Sequence, residues 1–336
     1  MFRILPEEAM TAANRTTQLG RTGPQVFPIA LGCMSMSGAY GPSDESEGIA
    51  TLREAIDRGV TLLDTADFYA NGHNELLIRR AIEGQRDKVR LSVKFGAMRG
   101  PDGVPVGFDA RPAAVKNFIT YSLQRLGVDH IDVYRPARLD PNVPIEDTVG
   151  AIADLVKGGY VRNIGLSEVG AETIRRAAKV HPLSDLQIEY SLISRDPEKS
   201  LFPTLTELGM SATLYGVLSR GLLTGAKVEG ARLHYPRFSG EAGQRNAEAV
   251  ARFHAFAAER GMTPAQLSVA WVLAKQPAFV PVVGARTRKQ LLDVLGALEK
   301  PLSPDDVAAV EAILPKEAIA GSRYPEQQMK MLDSER

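Results

Sequence analysis

The chain has a single cysteine, Cys33, in 336 residues, so no intrachain disulfide can form. That composition suits a reducing compartment, and a cytoplasmic location is the expectation. Net charge is also missing: 40 basic residues balance 40 acidic ones. Bulk electrostatics therefore offers nothing to a nucleic acid or an anionic membrane surface, and neither is expected as a partner. No apolar run is long enough to cross a bilayer. The five histidines, His73, His130, His181, His234 and His254, include no closely spaced ligand pair. No metal is expected on that ground. The glycine loops of nucleotide-phosphate sites and the Gly-x-Ser-x-Gly elbow of serine hydrolases are absent too.

What remains is the composition of an ordinary globular chain with a regular alternation of elements. Residues 1–15 read as a disordered leader. The stretch Met1–Glu8 is acidic, it lacks the apolar centre of a signal peptide, and Met10 is an alternative start. A hairpin follows, turning at Arg21–Pro24. Eight strand-then-helix units come next, beginning at Pro28–Leu31 and ending with the strand Phe279–Val283 and its helices. The helix over Asp44–Arg58 has Asp44 or Ser43 as its cap, with Glu47 spaced for a capping box. Strict alternation over this length predicts one closed (β/α)8 TIM barrel over residues 16–315. The loop from Gly216 to Gly243 is long enough to be functional. Residues 316–336 form a polar tail.

In such a barrel the active site lies where the strands end at their C-termini. The polar residues at those ends are Asp64, Lys94, Arg135, Arg138, Ser167, Glu168, Gln187, Tyr215 and Arg286. Asp64 closes the strand that leads into Thr65-Ala66-Asp67-Phe68-Tyr69, and Lys94 closes the next. A carboxylate at a buried strand end needs a cation or donors. An ammonium held by Asp64 beside the Tyr69 phenol would favour its ionised form and make it a better acid. That trio is a general acid for a carbonyl oxygen.

The run Leu31-Gly32-Cys33-Met34, the motif Asp64-Thr65-Ala66-x-x-Tyr69, Lys94 and Ile164-Gly165-Leu166-Ser167 resemble the aldo-keto reductases. So do Gln187, Tyr215 and Ser219-Arg220-Gly221. Gly72-His73-Asn74-Glu75 points to the bacterial and fungal branch. The resemblance implies a TIM barrel closed at the bottom by an N-terminal β-hairpin. It also implies NADP(H), preferring NADPH to NADH, and hydride transfer between that cofactor and an aldehyde or ketone. Tyr69 would be the general acid, Lys94 its activator and Asp64 the lysine's partner. Ser167 and Gln187 would hold the nicotinamide carboxamide, and Tyr215 would stack on the ring. Gly216, Leu218, Ser219 and Arg220 would cover the pyrophosphate. Gly284, Arg286 and Gln290, with Arg288, would meet the 2′-phosphate end. Met34, Ala137 and Arg138 would line the substrate pocket.

Three departures stand out. The family's usual histidine after the fourth strand is Ala137 here, its usual asparagine after the serine is Glu168, and an adenine-contacting asparagine is Val294. Two other readings stay open. One is a lyase using Lys94 as a Schiff-base nucleophile. The other is a regulatory or weakly active protein that binds NADPH. A purely packing role for Tyr215 is also open.

Overall fold

The structure, a computed structural model, describes residues 16–335. The leader expected over residues 1–15, with Met10, lies outside the described residues. Strands β1 (Thr17–Gln18) and β2 (Gln25–Val26) form the antiparallel hairpin. Eight parallel strands then close into a barrel in sequence order. They are β3 (Ala30–Gly32), β4 (Leu62–Ala66), β5 (Arg90–Phe95), β8 (Ile131–Pro136), β9 (Val161–Ser167), β10 (Leu183–Glu189), β11 (Ser211–Tyr215) and β12 (Val280–Gly284). A second hairpin, β6 (Ala97–Arg99) and β7 (Pro105–Phe108), rises from the end of β5 and had no signal in the alternation.

The helices on the outside are α1 (Glu45–Asp57), α2 (His73–Ile82), α3 (Pro112–Leu126), α4 (Ile145–Lys157), α5 (Ala171–Ala178), α6 (Leu201–Leu208), α7 (Gly240–Glu259), α8 (Pro264–Lys275), α9 (Arg288–Leu295), α10 (Pro304–Ile313) and α11 (Glu326–Met329). Asp44 is the cap of α1, accepting from the Glu47 N–H at 2.7 Å. The reciprocal arm of the capping box does not form, because the Glu47 carboxylate turns to Arg288 instead. The loop expected over Gly216–Gly243 contains three short 3-10 turns, and α7 begins inside it at Gly240.

The barrel interior has two storeys. Its floor is apolar: Leu19 and Val26 of the hairpin pack against Ala30, Leu62, Val133, Val280 and Val282. The hairpin is pressed against the barrel at Gly20, which has a φ of +70°. A Cβ there would lie 2.2 Å from the Ser184 carbonyl oxygen, so only glycine fits. The upper storey is polar. Arg135 on β8 is wholly buried and donates to Asp185 (2.8 Å), Thr213 (2.9 Å) and Ser92 (3.0 Å). An apolar floor keeps water out from below, so the polar groups above must satisfy one another or a ligand.

The chain after α10 runs back over the barrel mouth. Leu332 in this segment is only 2% exposed, and the Asp333 carboxylate accepts from the Gly170 N–H at 2.8 Å.

Candidate active site

Parallel pairing of β4 with β5 sets Ala66 opposite Lys94 and Asp64 opposite Ser92. Three donors converge on the buried Asp64 carboxylate. Lys94 Nζ reaches Oδ1 at 2.5 Å, while Ser92 Oγ (2.9 Å) and Gln187 Nε2 (2.8 Å) reach Oδ2. Burial pushes the Lys94 pKa down, and the Asp64 charge and hydrogen bond oppose it. This ammonium lies 5.1 Å from the centre of the Tyr69 ring.

Tyr69 opens the turn into α2. Ala70 and Asn71 have φ of 46° and 53°, and Gly72 has a φ of 93°. The Gly-His-Asn-Glu run braces this turn. Asn74, fully buried, donates to the Cys33 carbonyl and to Ser37 Oγ, both at 2.8 Å, and accepts from Thr65 Oγ1 at 2.7 Å. Glu75 forms a buried ion pair with Arg125. His73 is held between Ser37 Oγ (3.0 Å) and Glu45 (3.3 Å).

The phenol behaves differently from the sequence expectation. Burial, then Asp64 and Tyr40, push the Tyr69 pKa well above the ordinary phenol range, and the cation that opposes them is Arg138. At rest the hydroxyl therefore keeps its proton. Among the described residues it makes no hydrogen bond. A protonated donor with cations nearby can give its proton only when negative charge develops on a bound oxygen.

Ser167 and Gln187 are partners across β9 and β10 and so face the same side. Among the described residues the buried Ser167 hydroxyl has no hydrogen-bond partner. Gln187 spends its amide nitrogen on Asp64, which leaves its amide oxygen. An orphan hydroxyl beside an amide oxygen is a suitable donor–acceptor set for a carboxamide. Gly284, at the exposed end of β12, is open to the site. Its missing Cβ would stand 3.6 Å from Ser35 Oγ, a second buried hydroxyl without a partner. Arg286 donates only to the carbonyls of Tyr40 (3.4 Å) and Pro42 (3.2 Å) and pairs with no carboxylate among the described residues. Gln290 accepts from the Arg286 N–H at 2.8 Å, at the first turn of α9. Arg288 is not free to help, since Glu47 holds it at 2.9 Å. Val294 is 3% exposed and packs in the outer core. These residues fit an anionic dinucleotide lying from Ser167 to the start of α9.

At the other side of the mouth the structure goes beyond the sequence. Gly216 turns the chain after β11 at φ 74°, and a Cβ there would press on Glu189 at 2.9 Å. Leu218 leads into a 3-10 turn in which Ser219 and Arg220 have φ of 47° and 57°. Ser219 Oγ meets Ser191 Oγ at 3.1 Å. Arg220 points inward, bonding the buried Glu189 at 2.8 Å between the rings of Tyr235 (4.6 Å) and Tyr324 (4.4 Å).

Glu168, expected only as a missing asparagine, is the anchor of the tail. Its carboxylate accepts two bonds from Arg323 (2.9 and 2.6 Å), one from Ser334 Oγ (2.7 Å), one from the Tyr215 hydroxyl (2.5 Å) and one from the Glu189 N–H (3.1 Å). Burial alone would raise its pKa, but Arg323, Arg138 and Tyr215 bring it down to about 2. Tyr324 meets the Tyr215 hydroxyl at 2.9 Å. Tyr215 is thus a half-buried ring pinned at its oxygen, with more than a packing role. No local signal marks Arg323 and Tyr324; the one usable sign is a carboxylate, Glu168, at a buried strand end, which needs a cation or donors from somewhere in the chain.

The residues expected on the substrate side are the half-buried Met34, on the 3-10 turn after β3, and Ala137 and Arg138 in the loop after β8. Ala137 is 3% exposed, and its N–H donates to the Phe95 carbonyl at 2.8 Å. This places Arg138 beside the end of the strand that carries Lys94. Among the described residues no group of three or more His, Cys, Asp or Glu side chains is arranged for a metal, and no helix is long and apolar enough to cross a membrane.

The family model for the aldo/keto reductase family matches residues 28–315. A probable aldo-keto reductase 1 from Glycine max is 38% identical over 326 residues, covering 94% of this chain and 93% of its own. Among solved structures, a glycerol dehydrogenase from Gluconobacter oxydans superposes with a TM-score of 0.80 at 28% identity, covering 91% of this chain and 96% of its own. An aldo-keto reductase from Bacillus halodurans in its holo form gives 0.75 at 25%, covering 93% and 99%. A barrel closed by a hairpin, a tyrosine above a lysine–aspartate pair and matches of this extent lead to one assignment: the chain belongs to the aldo/keto reductase family.

Proposed function

We propose that this protein reduces an aldehyde or ketone to an alcohol with NADPH, or runs the reverse oxidation. The observation that carries this reading is the Tyr69 hydroxyl, protonated and without a partner, above the Asp64–Lys94 pair. When bound, the nicotinamide cofactor supplies the hydride. Ser167 Oγ and the Gln187 amide oxygen hold the carboxamide, and the Tyr215 ring, pinned by Glu168, backs the nicotinamide. Arg286 receives the 2′-phosphate. Tyr69 Oη gives its proton to the carbonyl oxygen as charge grows there. Lys94 stabilises the phenolate left behind, and Asp64 keeps Lys94 in place. The lyase reading loses ground, because Lys94 is 5% exposed and bound to a carboxylate rather than free to attack.

The test is NADPH oxidation with a panel of carbonyl compounds, wild type against Tyr69→Phe. General-acid loss should lower turnover by roughly 10²–10⁴-fold, with NADPH affinity retained. A Tyr69→Phe variant that still turns over would return Tyr69 to a packing role, and a wild type that binds NADPH but oxidises it with none of the carbonyl compounds would return the protein to a cofactor-binding or regulatory role.

A further inference from the structure

Beside the candidate acid Tyr69 stands one cation, Arg138, that forms no ion pair among the described residues. At the mouth of β9–β11 the carboxylates are already matched. Glu168 is paired with Arg323, and Glu189 is faced by Arg220, Arg237 and Arg323. On the catalytic side Lys94 is paired with Asp64. Arg138 has no such partner. Its Nη1 donates to the Ala137 carbonyl at 2.6 Å, which fixes the guanidinium to its own loop. Its Nε and Nη2 make no hydrogen bond among the described residues. That leaves the Nε–Nη2 edge, the fork whose spacing matches the two oxygens of a carboxylate. Tyr69, Tyr215 and Tyr324 are the groups around it, with the Glu168 charge behind them. The imidazole of His73 is already engaged by Ser37 and Glu45.

This half-buried guanidinium feels the Glu168 charge, but among the described residues no carboxylate is hydrogen-bonded to it to replace the water its open edge has lost. An incoming anion restores that balance, whereas a neutral substrate does not. Ala137 beside it contributes only a methyl group and so offers a substrate oxygen no polar contact that would compete with Arg138.

Resting on the carbonyl-reductase reading, we infer that the substrate carries a carboxylate or similar anionic group close to its carbonyl, and that the open edge of Arg138 receives it. Arg138 is then the specificity-determining residue of the pocket.

The experiment compares 3-carboxybenzaldehyde with its methyl ester as substrates with NADPH, in wild type, Arg138→Ala and Arg138→Lys. Alongside it, benzoate and benzamide are titrated as non-reacting ligands by calorimetry. The expected result is at least a tenfold preference in kcat/KM for the acid in wild type. Arg138→Ala should collapse this ratio towards one, chiefly through KM, and Arg138→Lys should restore part of it. Benzoate should bind at least tenfold more weakly to Arg138→Ala. Equal wild-type rates on acid and ester would overturn the inference and leave the reductase reading standing. So would a fall in Arg138→Ala that is the same for both substrates. If neither aldehyde is reduced but benzoate still binds through Arg138, the anion site stands and the reductase reading fails. Arg138→Lys keeps the charge, so it separates a folding defect in the alanine variant from loss of the contact.

Discussion

Two buried carboxylate–cation pairs stand at the mouth of this barrel, and they are built in opposite ways. Asp64 and Lys94 lie on neighbouring strands, each locked into the ladder, with Ser92 and Gln187 adding donors. Glu168 lies just past β9 at φ 54°, and its cation, Arg323, arrives from 155 residues away in the tail. The first pair is part of the frame, so it can aim an ammonium at Tyr69. The second joins the frame to the C-terminal tail, so it can dock that segment and pin Tyr215. A carboxylate's role follows from what its partner is attached to.

The largest effect should come from breaking the first pair. Lys94→Ala leaves Asp64 buried with a charge and no cation, which typically costs roughly 3–5 kcal/mol. Denaturant unfolding should show that loss together with abolished turnover. A variant of unchanged stability would mean that Ser92 and Gln187 suffice for Asp64.

Breaking the second pair should cost less and act locally. The Glu168 pKa, held at about 2, is below the ordinary carboxylate value near 4.3. A depressed carboxylate contributes stability above its unfolded pKa and loses it as pH falls towards the folded value. At about 1.4 kcal/mol per unit, the contribution is roughly 3 kcal/mol, lost between about pH 5 and pH 2. Arg323→Ala should flatten that stretch of the acid-unfolding profile and speed proteolysis after residue 320. An unaltered acid limb in the variant would show that Arg323 is not what holds the Glu168 charge.

The smallest effect sharpens the contrast with Arg286, a cation that pairs with no carboxylate among the described residues. Arg286→Ala should leave unfolding within about 0.5 kcal/mol of wild type, as for a site away from buried networks. It should cut the preference for NADPH over NADH about tenfold or more, the worth of one charged contact of roughly 1.5–3 kcal/mol. An unchanged affinity ratio would remove Arg286 from the phosphate end.

The sequence by itself determined the barrel and the hairpin that precedes it; the hairpin's place at the floor came with the family resemblance. Apolar runs alternating with helical patterns admit few arrangements, and parallel neighbours follow from chain order. It also placed Asp64, Tyr69 and Lys94 together, because adjacent strands end on the same side. Only the tertiary structure decided the rest. It showed the Tyr69 pKa raised by burial rather than lowered by Lys94, since burial depends on everything packed around the phenol. It formed half of the α1 capping box, because Arg288 competes for Glu47 across the fold. It made Glu168 and Arg323 partners, and it left Arg138 without one. Strand order is encoded locally and repeats along the chain. A contact between residue 168 and residue 323 has no local signature, because it exists only once the barrel has closed and the tail has crossed its mouth.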